Sequence, residues 1–129
     1  MTSPFRTWNG VEPFAIFPNV ELHAIGGEQM LMCRVRYEPG KTVGLHSHEF
    51  TEQVMWLMEG TLEMTIAGET RQMMPGDTCV INKGIEHELH TETGCVFLEG
   101  LAPVPLDHVP DRERDLVLGE LGGSLHVER

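Results

Sequence analysis

Between Val20 and Leu101 apolar residues recur at every second position in short runs, and turn-forming residues separate the runs. In the clearest run Leu31, Cys33, Val35 and Tyr37 alternate with Met30, Met32, Arg34 and Arg36, which sends the two sets to opposite faces of a strand. The pattern predicts strands over Val20 to Ile25 and Gln29 to Tyr37, joined at Gly26-Gly27. Further strands are expected over Gln53 to Met58 and Thr61 to Ile66 around Glu59-Gly60, and over Glu69 to Met74 after Ala67-Gly68. Pro75-Gly76-Asp77 turns the chain into Thr78 to Ile81. Glu86 to Thr91 and Cys95 to Leu101 close the series. No stretch of this region carries a helical period, so the expected architecture is an all-β closed antiparallel barrel or sandwich.

The two ends break the pattern. Pro4, Pro13 and Pro18 interrupt an apolar segment from Phe5 to Val20, which predicts an irregular arm whose Trp8, Phe14 and Phe17 need cover, on a partner subunit or on the chain's own barrel. After Leu101, Pro103, Pro105 and Pro110 exclude regular structure up to Asp111. Asp111 then caps an expected short helix running to about Leu118, stopped by Gly119. Gly122-Gly123 makes the last residues mobile in this reading, and His108 and His126 are surface residues without chemistry. The expected division is one domain over 1–129, with an arm at 1–29, a barrel core at about 30–101 and a tail at 102–129.

The chain has 129 residues, 9 Lys and Arg against 20 Asp and Glu, and a formal net charge of -11. Such a surface repels phosphate backbones and anionic lipids, so no nucleic acid and no membrane partner is expected. An anionic small molecule is still compatible, because an ion and a local arginine can reverse the sign inside a pocket. Arg34 and Arg36, sharing one strand face, read as a solvated or subunit-facing surface. Cys33, Cys79 and Cys95 lack metal or redox spacing and read as buried hydrophobes in a reducing compartment. With neither an apolar leader nor a membrane-length run in view, the expectation is a cytoplasmic protein.

The candidate chemistry lies between Gly40 and Gly60. His46 and His48 are one residue apart, so on an extended backbone both imidazoles face the same side, and Gln53 follows closely enough to join them around one metal ion. Downstream lies Gly76-Asp-Thr-Cys-Val-Ile-Asn82-Lys-Gly84-Ile-Glu-His87, continuing to Thr91. Alternation counted from His87 puts Leu89 and Thr91 on its face and Glu86, Glu88 and His90 on the other, which sets His90 aside. The same count from Gln53 turns Met55 and Leu57 inward, with Cys79 and Ile81 on a neighbouring strand. Glu49 and Glu52 read as rim residues.

These two stretches resemble the paired motifs of the cupin superfamily. In the first motif Gly40, His46, His48 and Gly60 match, and Gln53 stands at the usual carboxylate position. In the second Gly76, Gly84 and His87 match, while Asn82 replaces a proline and Thr91 an asparagine. The resemblance covers roughly residues 30 to 101. It implies a small single-domain cupin of double-stranded β-helix fold, similar to a jelly roll, with a divalent transition metal ion held by His46, His48, Gln53 and His87. Manganese, iron, nickel, zinc, cobalt and copper are all compatible. The ligand set is similar to that of the small cupins that assist ring opening of unsaturated uronates. Their Asp-x-Phe segment corresponds to Glu99-Gly100-Leu101, with no arginine following until Arg112, so Glu99 stands at the catalytic position while the substrate-handling residues depart from the pattern. The expected function is a Lewis-acid isomerase or lyase acting on a carbohydrate-like or other oxygenated small molecule, in a homodimer. The alternatives are a non-haem metal dioxygenase and a non-catalytic ligand-binding or metal-binding module.

Overall fold

The hydrophobic alternation resolves into nine strands between Val20 and Ala102 in a computed structural model that describes residues 4–13, 15, 18–104, 114–116 and 126–128. They are β1 Val20–Gly26, β2 Leu31–Tyr37, β3 Lys41–His46, β4 Glu52–Gly60, β5 Leu62–Ile66, β6 Glu69–Met73, β7 Thr78–Ile81, β8 His87–Thr91 and β9 Cys95–Ala102. All pairings are antiparallel. One sheet has the order β1-β2-β9-β4-β7 and the other β3-β8-β5-β6. Because β9 lies between β2 and β4, and β8 between β3 and β5, the chain passes repeatedly from one sheet to the other. This is the double-stranded β-helix, and among the described residues there is no helix.

Burial follows the sequence pattern. Along β2, Leu31, Cys33 and Val35 are buried while Met32, Arg34 and Arg36 are exposed. Leu22, Leu31, Leu57, Phe97 and Leu101 from the larger sheet share one core with Leu62, Met64 and Leu89 from the smaller. Each fully buried side chain of this kind contributes about 1.5–3 kcal/mol relative to exposure. Phe97 also takes the edge of the Tyr37 ring, their centroids 5.3 Å apart.

Two backbone positions hold the motif stretches in place. Gly60 ends β4 with φ +76°, and a Cβ there would collide with the Gly94 carbonyl oxygen. No other residue fits. Thr91, at the position where the family pattern has asparagine, is buried and donates its hydroxyl to the Thr61 carbonyl at 2.7 Å, tying β8 to the start of β5.

The ends differ from expectation. β1 is an edge strand of the five-stranded sheet, paired along its length with β2, so the barrel begins at Val20 rather than near residue 30. The irregular arm packs Trp8 and Val11 on this same core, with the Trp8 indole N–H donating to the Ala24 carbonyl at 3.3 Å. Phe14 and Phe17 lie outside the described residues. The helix expected from Asp111 to about Leu118 is overturned at its centre, because Arg114–Leu116 is a strand, β10, paired antiparallel with β11, His126–Glu128. A helix of that length is marginal in water, and cross-strand pairing satisfies the same backbone groups. The pairing also gives 126–128 a fixed register where the glycines before it suggested mobility. Among the described residues no helix is long and apolar enough to cross a membrane.

Candidate metal centre

His46 ends β3, His48 follows in the loop, and His87 opens β8, the strand that pairs with β3. A β-bulge lies between Val43 and His46, which brings His46 directly opposite His87. The extra residue re-aims the strand end into the barrel. The loop that carries the second motif is fastened to the first, since the Gly84 N–H donates to the His48 carbonyl at 2.7 Å. One ring nitrogen from each of His46, His48 and His87 lies within 4.8 Å of the others. The ring centroids of His46 and His87 are 4.1 Å apart.

Backbone carbonyls orient two of these rings. His46 Nδ1 lies 2.7 Å from the Gly44 oxygen and His87 Nδ1 lies 2.9 Å from the Ile85 oxygen. A carbonyl only accepts, so both rings carry the proton on Nδ1 and present the Nε2 lone pair to the common centre. Burial holds His87 below the usual imidazole pKa, and the neighbouring His46 and His48 act in the same direction against its Ile85 bond and the Glu99 charge. A neutral imidazole is the form that binds metal.

The fourth group comes from the opposite sheet. Gln53 on β4 is 5% exposed and its Nε2 donates to Glu99 Oε2 at 3.0 Å. Since the carboxylate takes the NH₂ end, the amide oxygen must point elsewhere. That oxygen, Oε1, is buried with no hydrogen-bond partner among the described residues. An orphaned buried acceptor in the same cavity as three converging imidazole nitrogens is what a divalent ion would satisfy, so the residues present fit one.

These groups line a cavity of about 300 Å³, walled by Val43, Leu45, Met55, Ile81, Leu89 and Phe97 and containing Glu99 and Tyr37. Glu99 is 4% exposed, on the inner face of β9. Its charge acts on a ring of groups that burial already disfavours ionising. Tyr37 and Cys33 are raised well above their usual values, and Cys79 is pushed up to about 11. These thiols stay protonated and offer no thiolate. A larger open hollow of about 770 Å³ near Cys79 contains no histidine, and its Arg71 and Glu69 pair with each other at 2.7 Å.

Other candidates fall elsewhere. His90 turns away from the cavity and bonds Thr42 and Glu92, each at 2.6 Å. Glu49 and Glu52 are exposed, and Arg34 and Arg36 lie on the outer face of the larger sheet. Met55 and Leu57 both turn inward, Met55 into the cavity and Leu57 into the core. His108 lies outside the described residues. The period puts Tyr37 on the inward face of β2 with Cys33 but does not mark it as a residue of the cavity, where the structure places it.

A family model described as a cupin domain matches residues 33–99. The chain is 30% identical over 83 residues to the oxalate-binding protein of Thermotoga maritima, covering 64% of this chain and 68% of that protein. KdgF from Halomonas sp. superposes with a TM-score of 0.76 at 20% identity, over 84% of this chain and 100% of that one. An RmlC-like cupin from Shewanella frigidimarina superposes at 0.77 and 17% identity, over 84% and 97%.

Proposed function

The chain belongs to the cupin family, and from that premise we propose that it is a metal-dependent isomerase or lyase acting on a carbohydrate-like or other oxygenated small molecule. His46, His48, Gln53 and His87 hold the ion and Glu99 accepts the proton. The observation that carries this reading is the Gln53 amide, fixed by Glu99 at one end and left with an unpartnered buried oxygen at the other. Three imidazoles and an amide bring no charge to the ion. The carboxylate of Glu99 accepts from the Gln53 amide, and a donor set without a carboxylate would favour polarisation of a substrate over activation of oxygen.

A divalent ion held there supplies a Lewis acid that polarises a substrate carbonyl or hydroxyl. The rest is done by the chain. The Gly44 and Ile85 carbonyls fix the rings of His46 and His87, and Glu99 fixes the amide of Gln53. Phe97, Leu89 and Met55 exclude water from one side of the cavity, which strengthens every charge interaction inside it. Glu99, a carboxylate on the inner face of β9, would take a proton from a substrate bound in the cavity. Tyr37 stays protonated and serves as a hydrogen-bond donor to a substrate oxygen.

The uronate class enters through the ligand set, and KdgF supports the shared fold. The test is to load the protein with manganese, iron, nickel or zinc, measure bound metal, and follow an unsaturated uronate by NMR. Glu99→Gln is expected to keep the metal and the melting temperature while the rate falls by about 100-fold or more. Ala at His46, His48 or His87 removes metal and rate together, and His90→Ala leaves both. A wild-type rate in metal-replete Glu99→Gln removes Glu99 from the reaction. Oxygen uptake by the iron form would replace this reading with a dioxygenase, and binding without turnover would replace it with a binding module.

A further inference from the structure

The outer face of the four-stranded sheet carries chemistry that the metal centre leaves unused. Thr42 on β3 and His90 on β8 stand directly opposite each other in the pairing register. Both point away from the barrel, since Leu89 and Thr91, which alternate with His90, are buried. The Thr42 hydroxyl lies 2.6 Å from His90 Nδ1, and His90 Nε2 lies 2.6 Å from Oε1 of Glu92, in the bend that follows β8. Both contacts sit at the short end of the range for hydrogen bonds of these groups.

The two contacts together decide where the protons lie. A carboxylate only accepts, so the neutral imidazole carries its proton on Nε2, toward Glu92. Nδ1 is left with a lone pair, and the hydroxyl beside it must donate. His46 and His87 have the opposite tautomer, because backbone carbonyls take their Nδ1 protons. Thr42 therefore directs its proton at a base that a carboxylate holds from behind. This is the order of an activated nucleophile: hydroxyl, imidazole, carboxylate. Other threonines are bonded differently. Thr51 and Thr91 donate to backbone carbonyls, and Thr65 pairs with the hydroxyl of Thr70.

We propose that Thr42 is an acyl-acceptor site, modified at its hydroxyl by activated acyl donors, with His90 as the base and Glu92 as the positioning residue. Thr42 Oγ1 forms a bond to the acyl carbon while His90 Nδ1 takes the hydroxyl proton. The bond from that carbon to the leaving group breaks, and its electron pair departs with the leaving group. His90 then hands the proton to the departing group, which restores the imidazole. The surroundings of Thr42 set the class of donor. It is exposed on the edge strand of its sheet and lines neither of the hollows described above, so binding contributes little. The donor must bring its own good leaving group, as aryl esters, acyl phosphates and thioesters do.

The test uses p-nitrophenyl acetate on the metal-loaded chain and on the same chain after chelation, with peptide mass spectrometry to locate the acetyl group. Acetyl-Thr42 is expected at the same rate with and without metal. Thr42→Val removes it, Thr42→Ser keeps it, and His90→Ala slows it by about 100-fold or more. Glu92→Gln slows it about tenfold, and NMR of the ring nitrogens shows His90 losing its preference for the Nε2 proton, a change that a merely structural role for Glu92 does not produce. Circular dichroism stays unchanged throughout, because all three side chains lie outside the core. Acetyl groups found on lysines and the N-terminus with Thr42 unmodified overturn the proposal. So does a wild-type rate at Thr42 in His90→Ala, or a His90 ring that carries its proton on Nδ1 in the unaltered chain. A rate that vanishes on chelation overturns it as well, since the reaction then belongs to the metal centre.

Discussion

A single amide decides how the candidate centre is read. Spacing placed Gln53 near His46 and His48, and alternation separated His87 from His90, so the grouping of His46, His48, Gln53 and His87 in one cavity was legible from period and motif. The sequence could not show that Glu99 holds the Gln53 amide by its nitrogen, because β4 and β9 are far apart in the chain and their register is a property of the fold. The same burial gives His87 a measurable signature. Its pKa lies below that of an exposed imidazole, so as pH falls through about 6.5 the unfolded chain gains a proton that the folded chain refuses. Stability of the metal-free protein is therefore expected to fall over that window as pH drops, and to be fully present above it. Thermal melts of chelator-treated protein at about pH 7.5 and 5.5 check this. The drop should be smaller in His87→Gln, and an equal drop in both would assign the effect to other groups.

Strands were legible where one face is buried, since period two then appears in the residues themselves. The ends of the chain were not. β10 is three residues long, too short to display a period, and the acidic and basic residues around it suit a helix equally well. The first motif was read as strand and loop, and the bulge that turns His46 inward has no local marker, because it is a relation between β3 and β8. Turns fared better. Gly60 was read as part of the bend between β4 and β5, and the structure shows a harder constraint, the Gly94 carbonyl pressed against its Cα with φ at +76°. Gly60→Ala is expected to cost about 2 kcal/mol or more, from a left-handed backbone and a collision with main chain that no rotamer relieves. Urea denaturation measures it. Gly40→Ala, which also sits at positive φ but has open space around it, should cost less, and equal losses would mean that backbone strain alone matters.

For the whole molecule, sequence pattern specified an all-β barrel, while the order of strands within its sheets came from the resemblance and not from any rule of alternation. Cover for the arm's Trp8, open in the sequence between a partner subunit and the chain's own barrel, comes from the barrel, and exposed apolar side chains lie on a sheet face. One further consequence follows from where the metal-binding groups are rooted. His46 and His87 belong to the four-stranded sheet and Gln53 to the five-stranded one, so an ion gripped by all of them is a rivet through both layers. A ligand present at about 1,000 times its dissociation constant adds about 4 kcal/mol to stability, and here that gain is concentrated at one seam. Stripping the ion should lower the melting temperature and speed amide exchange in β3, β4 and β8 together, while β1 and β2 keep their protection. Uniform acceleration across all strands, or none, would speak against the seam. An ion held there would lose its grip on one layer whenever the two part, so how often the barrel breathes would help set how long a metal stays.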